Sequence, residues 1–376
     1  MTTISGSARG FAGDGGPAAL AQLALADFQN ECDPNRFEQI SHLAFDAVGN
    51  LYVADTANHR VRRVSTTGVI TTFAGTGERP PVNPQTCVPT AVFGEGGPAT
   101  AARLFFPSGL AVAQDGAVIL ADQQNNRIRR VAPDGVIQSI AGYGLHAFYA
   151  PNVPATASGL DWPSAVAVDS AGIVHFAEVH SGRVARIGAD GRLGTVAGTG
   201  IPGFNGDSGA ATAMRLQNPT GIAFDAAGNL YIADQGNDRV RRVTPTGALT
   251  TIAGPGQGMS RPADVKVDGA GNVFVTDMNN HRVLRINPAG AITSIAGDGT
   301  PGRGPDGVAA ESSRFTLPSG LALHANGDVY VVDWGNYLVR RVSVRGTPES
   351  PPAASSTRPV FSPGRSRRAR CSRFSA

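Results

Sequence analysis

Short apolar runs, each closed by a cluster of Gly, Asn, Asp or Pro, recur along almost the whole chain, and residues 219–254 show the pattern most clearly. Residues 219–225 alternate small and apolar side chains. A turn cluster, Ala226-Ala227-Gly228-Asn229, leads into the run Leu230-Tyr231-Ile232-Ala233-Asp234. After a Gly-Asn-Asp loop come Arg239-Val240-Arg241-Arg242-Val243, a Thr-Pro-Thr-Gly turn, and a last run through Ile252-Ala253-Gly254. Four β-rich runs joined by turn chemistry predict a four-stranded antiparallel meander. Helical periodicity is confined to brief Ala-rich stretches such as 210–216.

This unit repeats. The phrase Asp-x-x-Asn-x-Arg-Val-x-Arg-Val occurs, with variation, at residues 55–64, 122–131, 178–187, 234–243, 277–286 and 333–342. Its starts are separated by 67, 56, 56, 43 and 56 residues. Periods of this size signal a solenoid, propeller or array. Four-stranded units repeated radially build the blades of a β-propeller, so the fold class is all-β with six blades.

The count of strands supports a closed ring. Five units end in an aliphatic or aromatic residue followed by Ala-Gly, at 73–75, 140–142, 196–198, 252–254 and 295–297, but none follows Val342. The chain opens with the similar Thr2-Thr3-Ile4-Ser5-Gly6. The first strand is therefore expected to complete blade six, which covers edges that would otherwise be open. A ring closed within one chain is expected to stand as a monomer.

These phrases resemble the NHL-repeat family. Asn58-His59-Arg60-Val61 and Asn237-Asp238-Arg239-Val240 match its Asn-x-Arg-aliphatic signature, and Gly-Asn-Leu-Tyr-x-Ala-Asp occurs at 49–55 and 228–234. The resemblance spans residues 1–345 and implies the fold. Members of the family serve as protein- and RNA-binding modules, as sensor domains and as a metal-dependent lyase, and a shared fold does not choose among these.

The 41% hydrophobic content suffices for a large core, and 48 glycines with only 6% aromatics suit many short strands. No apolar run approaches the roughly 18 residues of a membrane-spanning helix, and residues 1–10 lack the apolar stretch of a signal peptide. The formal charge of +3 resides in the tail: seven Arg and one Glu after residue 344 give that segment +6, leaving residues 1–344 at −3. The Ser/Pro/Arg-rich segment 346–376 is expected to be disordered. An acidic body argues against nucleic-acid binding. Cys32 and Cys87 occupy the two longest linkers, 27–40 and 78–93, and a disulfide between them would favour an extracytoplasmic location.

Most polar residues of the phrase read as scaffold. Its terminal arginine is present in all six copies (Arg63, Arg130, Arg186, Arg242, Arg285, Arg341) and is expected to face the starting Asp across the hairpin. Asn58 and its counterparts are expected to take left-handed backbone geometry. The Gly-Asp linkers lack the ordered acidic spacing with which calcium gathers about six to eight oxygens, and read as glycine turns.

Departures from the repeat mark the candidate site. At the first aligned position of the innermost strands stand His42, Gly109, Ala165, Gly221, Asp264 and Gly320. Two residues on are Ala44, Ala111, Ala167, Ala223, Lys266 and Ala322. Small residues suit crowding at the axis, so His42, Asp264 and Lys266, the only lysine, are the exceptions. They form either an ion pair that plugs the axis or a ligand pocket, with Lys266 holding an anion and His42 titrating. His175, Glu178 and His180 invite a metal reading, but 175 and 178 point to opposite faces of a strand. Trp334 and Tyr337 sit in the blade-six hairpin loop, either as exposed ligand contacts or packed against the N-terminal linker.

Two functions compete. The first is a non-enzymatic recognition module for a protein, peptide or glycan, engaged through the linker-bearing face. The second is a metal-dependent lyase or lactonase with its site in the channel. A zinc enzyme needs about three protein ligands, and only His42 and Asp264 can be named. The sequence thus assigns no catalytic residue, metal set or cofactor.

Overall fold

The computed structural model describes residues 1–25, 40–83, 94–145 and 153–344. Six antiparallel sheets follow one another along the chain. Blade one comprises Leu43–Phe45, Leu51–Asp55, Arg60–Val64 and Ile70–Ala74; blade two begins at Pro107–Val112, blade three at Pro163–Val168 and blade four at Pro219–Phe224. Blade five begins at Pro262–Val267 and blade six at Pro318–Leu323. Each innermost strand contacts the next, and blade six contacts blade one, so the propeller closes. Thr2–Ser5 pairs antiparallel with Leu338–Val342 as the outer strand of blade six.

Hydroxyls stitch the axis. Ser108 donates to the Ser164 carbonyl at 2.8 Å, Ser164 to that of Pro219 at 2.9 Å and Thr220 to that of Ala263 at 2.8 Å. Blade five has Ala263 where its neighbours carry a hydroxyl, and Thr276 on its second strand donates to the Ser319 carbonyl instead, at 2.5 Å. The crowding expected of the axis is real. A Cβ on Gly109, Gly221 or Gly320 would approach the next blade within 2.6, 2.6 and 2.2 Å respectively.

The phrase does its work inside each blade. Its acidic residue accepts the backbone N–H of the residue two places before the innermost strand: Asp122 from Phe105, Glu178 from Asp161, Asp234 from Gln217, Asp277 from Ser260 and Asp333 from Thr316. Asp55 accepts that of Ala24. The phrase Asn bonds the same carboxylate, as Asn58 does on Asp55 and Asn237 on Asp234. The left-handed residue is the next one, His59, Asn126, Asp238, His281 or Tyr337, which corrects the expectation for Asn58.

A second correction concerns arginine. The residue facing the buried acid is not the invariant terminal one but its predecessor: Arg62, Arg129, Arg241 and Arg340 lie 3.2–3.8 Å from Asp55, Asp122, Asp234 and Asp333. The terminal Arg130 reaches out to Asp115 instead. Blades three and five carry Ala185 and Leu284 at the predecessor position, and there Arg183 and Arg282, at the start of the strand, bond Glu178 and Asp277.

The linkers complete this arrangement. Asp14, Glu95, Asp207 and Asp306 bind the far side of Arg62, Arg129, Arg241 and Arg340. The Gly-Asp linkers are therefore more than glycine turns. Their acid is present in the four blades that hold the buried arginine, and the short blade-five linker has neither an acid nor an arginine to meet. The left-handed hairpin residues latch neighbouring blades: His59 Nδ1 accepts from Phe106 N–H at 3.3 Å, Asn126 from Trp162, Asp238 from Arg261 and His281 Nδ1 from Leu317 at 3.2 Å.

Candidate functional site

The axis brings the three exceptional residues together. Asp264 is fully buried and accepts four hydrogen bonds from three donors: Val265 N–H on Oδ1, Leu321 N–H on Oδ2, and Lys266 Nζ at 2.8 Å from both oxygens. His42 crosses from blade one to place Nε2 3.8 Å from Asp264 Oδ1, while its Nδ1 lies 3.1 Å from the Ile40 carbonyl. Burial holds the His42 imidazole below its ordinary range, against the pull of the Asp264 carboxylate. The neutral ring beside a paired carboxylate closes the linker end of the axis.

Beyond this closure lies a cavity of about 270 Å³. Its wall takes Ala44, Ala111, Ala167, Ala223 and Ala322 from blades one to four and six, and Lys266 from blade five. Phe45, Val112 and Leu323, at the turn ends of the innermost strands, line it too. Lys266 thus stands nearer the turn-bearing end of the axis than the linker end where His42 and Asp264 meet.

The blade-three exceptions are dispersed. His175 Nε2 lies 3.0 Å from Asp169 Oδ2, where Tyr231 donates to Asp225 in blade four, and burial lowers the His175 pKa despite that carboxylate. Glu178 binds Arg183, and His180 lies over Trp162 with its centroid 4.5 Å away. One ion cannot draw on all three. Among the described residues no group of three His, Cys, Asp or Glu could hold a metal.

Trp334 is fully buried among Leu23, Leu25 and Ile40, and Tyr337 packs against the same cluster half-buried. Of the two sequence readings, Trp334 follows packing on the N-terminal linker, because the ring closure folds that linker across the blade-six hairpin. Cys32 and Cys87 lie outside the described residues, as does segment 346–376.

Two aromatics not singled out by the repeat emerge on the linkers. Phe11 sits 3.8 Å from the Arg60 guanidinium and is 42% exposed; Phe204 sits 3.9 Å from that of Arg239 and is 43% exposed. Each guanidinium faces an aromatic ring, a contact attractive in itself. The recurrence of Gly-Phe-x-Gly-Asp at 10–14 and 203–207 was the available signal.

Family models match a teneurin NHL domain at residues 66–203 and NHL repeats at 259–286 and 315–341. With six copies of the phrase on six blades, this decides the family. The chain belongs to the NHL-repeat β-propellers. Teneurin-m of Drosophila melanogaster is 29% identical over 56% of this chain and 8% of its own length. Teneurin-3 of mouse is 27% identical over 88% of this chain and 11% of its own. This NHL propeller thus spans about a tenth of the length of the curated relatives it matches. Among solved structures, an auxiliary nutrient binding protein from Bacteroides thetaiotaomicron superposes with a TM-score of 0.62 at 15% identity, covering 91% of this chain and 75% of that one. A gluconolactonase from Xanthomonas campestris superposes with 0.52 at 15% identity, covering 80% and 85%. At such identities the likeness concerns the fold.

Proposed function

We propose that this NHL propeller is a non-enzymatic recognition module that engages a protein, peptide or glycan through its linker-bearing face. One observation carries the reading. Of the eight large hydrophobic side chains exposed among the described residues, six lie on inter-blade linkers: Phe11, Leu20, Tyr143, Leu145, Ile201 and Phe204. Exposed aromatics beside arginines are the residue types that dominate binding interfaces. At the axis, by contrast, Asp264 and Lys266 are bonded to each other, and His42 Nε2 is buried 3.8 Å from Asp264 without a hydrogen-bond partner among the described residues. The nutrient binding protein among the similar folds fits a binding role, and no helix of the described residues is long and apolar enough to cross a membrane.

The second reading, a metal-dependent lyase or lactonase, draws on the gluconolactonase likeness and on His42 and Asp264 at the axis. Elemental analysis of the purified chain separates the two. The recognition module is expected to hold no stoichiometric metal. One tightly held equivalent, lost in Asp264→Ala, would favour the enzyme.

A further inference from the structure

In every blade but the fifth, a linker seats its backbone on the outer edge of the fourth strand or on the residue leading into it. Gly15 N–H donates to the Ile70 carbonyl at 2.8 Å, and Ile70 N–H donates to that of Gly16 at 3.0 Å. Gly96 and Gly97 bracket Ile137 in the same way, at 2.9 and 3.0 Å. Pro154 bridges to Arg192 in blade three. In blade four Ser208–Ala210 is a full fifth strand, antiparallel to Ala248–Thr250. In blade six Gly307 and Val308 bond Met1, and Asp306 accepts from Thr3.

Blade five has no such cover. Residues 254–261 make one tight turn, Pro255–Gln257, and enter the innermost strand at once. Among the described residues no segment bonds the outward backbone of Ile292 or Ser294 in the outer strand Ile292–Ala296. Side-chain burial records the gap. The outer-strand residue paired with the last residue of the phrase is buried in blades one to four (Ile70, Ile137, Leu193, Leu249), but Ile292 is only half-buried and Thr293 and Ser294 are exposed.

We propose that the outer edge of blade five is a β-augmentation site for an extended peptide segment of small residues from a partner protein. The chain's own linkers supply the template: small-residue segments such as Gly15-Gly16-Pro17-Ala18 and Ser208-Gly209-Ala210. Main-chain bonds to Ile292 and Ser294 give the affinity, as in other strand-addition complexes. Side-chain preference follows from Leu284. Where the other linkers place an acid against Arg62, Arg129, Arg241 or Arg340, blade five offers buried Leu284. An aspartate there would be desolvated without a cation, so the segment carries an apolar residue at that place. This site is separate from the linker aromatics of the proposed recognition face.

The test is amide hydrogen exchange on the full chain, with a synthetic peptide of residues 204–213 carrying Asp207→Leu as the probe. Without peptide, the amides of Ile292 and Ser294 should exchange faster than those of Ile70 and Ile137. With peptide they should slow by at least about fivefold, less so with the unsubstituted peptide. Ser294→Pro, which removes an outward donor that an edge strand can spare, should abolish the slowing. Amides at 292 and 294 already protected without peptide would overturn the proposal, because the edge is then covered. So would protection unchanged at saturating peptide. Protection that grows with protein concentration alone would overturn it in favour of self-association.

Discussion

At the scale of single residues, the molecule is governed by what must be done with buried charge. Arg241 is fully buried and sits between Asp234, which burial pushes up to about 6, and the exposed Asp207. Replacing Asp234 by Ala would leave Arg241 without its buried counter-charge, with only the exposed Asp207 remaining, and the Gln217 N–H without its acceptor. Loss of one partner of a buried pair costs about 3–5 kcal/mol, and urea unfolding of Asp234→Ala should show a drop of that order. Asp207→Ala, at the exposed end, should cost under about 1 kcal/mol. The pairing of linker acid with phrase arginine could have been read from the sequence, since both occur in blades one, two, four and six. The burial of Trp334 could not. Its loop position is buried in every blade, as Thr56, Gln123, Gln235 and Met278 are, whether the residue there is polar or apolar, and for Trp334 the surroundings include Leu23, Leu25 and Ile40.

At the scale of the element, the latch between blades is a side chain accepting from a backbone amide, and in two of them the acceptor is an imidazole. His59 is pushed down to about 3, chiefly by burial and then by Arg79 and Arg60; burial also lowers His281. Unfolded, both return to about 6.5. As pH falls from 6.5 towards 3, the unfolded chain binds protons that the folded chain refuses. Stability is therefore lost on that descent, by up to about 1.4 kcal/mol per pH unit for His59, and the partly exposed His281 acts with the same sign. Asp234 and Asp333, both pushed up to about 6 by burial, act with the opposite sign as pH rises from about 3.8 to 6. A comparison of variants isolates the imidazoles. Asn126 shows that asparagine serves the same latch, so His59→Asn with His281→Asn should flatten the acid limb of a melting-temperature profile between pH 4 and 6.5 and leave pH 8 little changed. Turn residues and strand alternation made the strands legible in the sequence. The latches were not, because they join positions in different blades whose only common mark is a left-handed residue.

At the scale of the whole molecule, closure by Thr2–Ser5 covers the last edge of the ring and packs the N-terminal linker over Trp334. Deleting residues 1–5 should lower the unfolding midpoint and expose the edge of Leu338–Val342. Sedimentation velocity should then show more association than the intact chain does. The ring was legible from the phrase count and the misplaced first strand. The division of labour across it was not, since polar exceptions at an axis look alike whether they bind a ligand or one another. The structure joins Asp264 to Lys266, Val265 and Leu321, with His42 alongside, and the proposed recognition module takes this axis as scaffold and the linker surface as the place of recognition. The most direct measurement is the unfolding free energy of Asp264→Ala. Scaffold predicts a loss of about 3–5 kcal/mol, because Lys266 and the Leu321 N–H lose their acceptor. Residues held for function are commonly neutral or stabilising when removed, so an unchanged or raised stability would contradict the account.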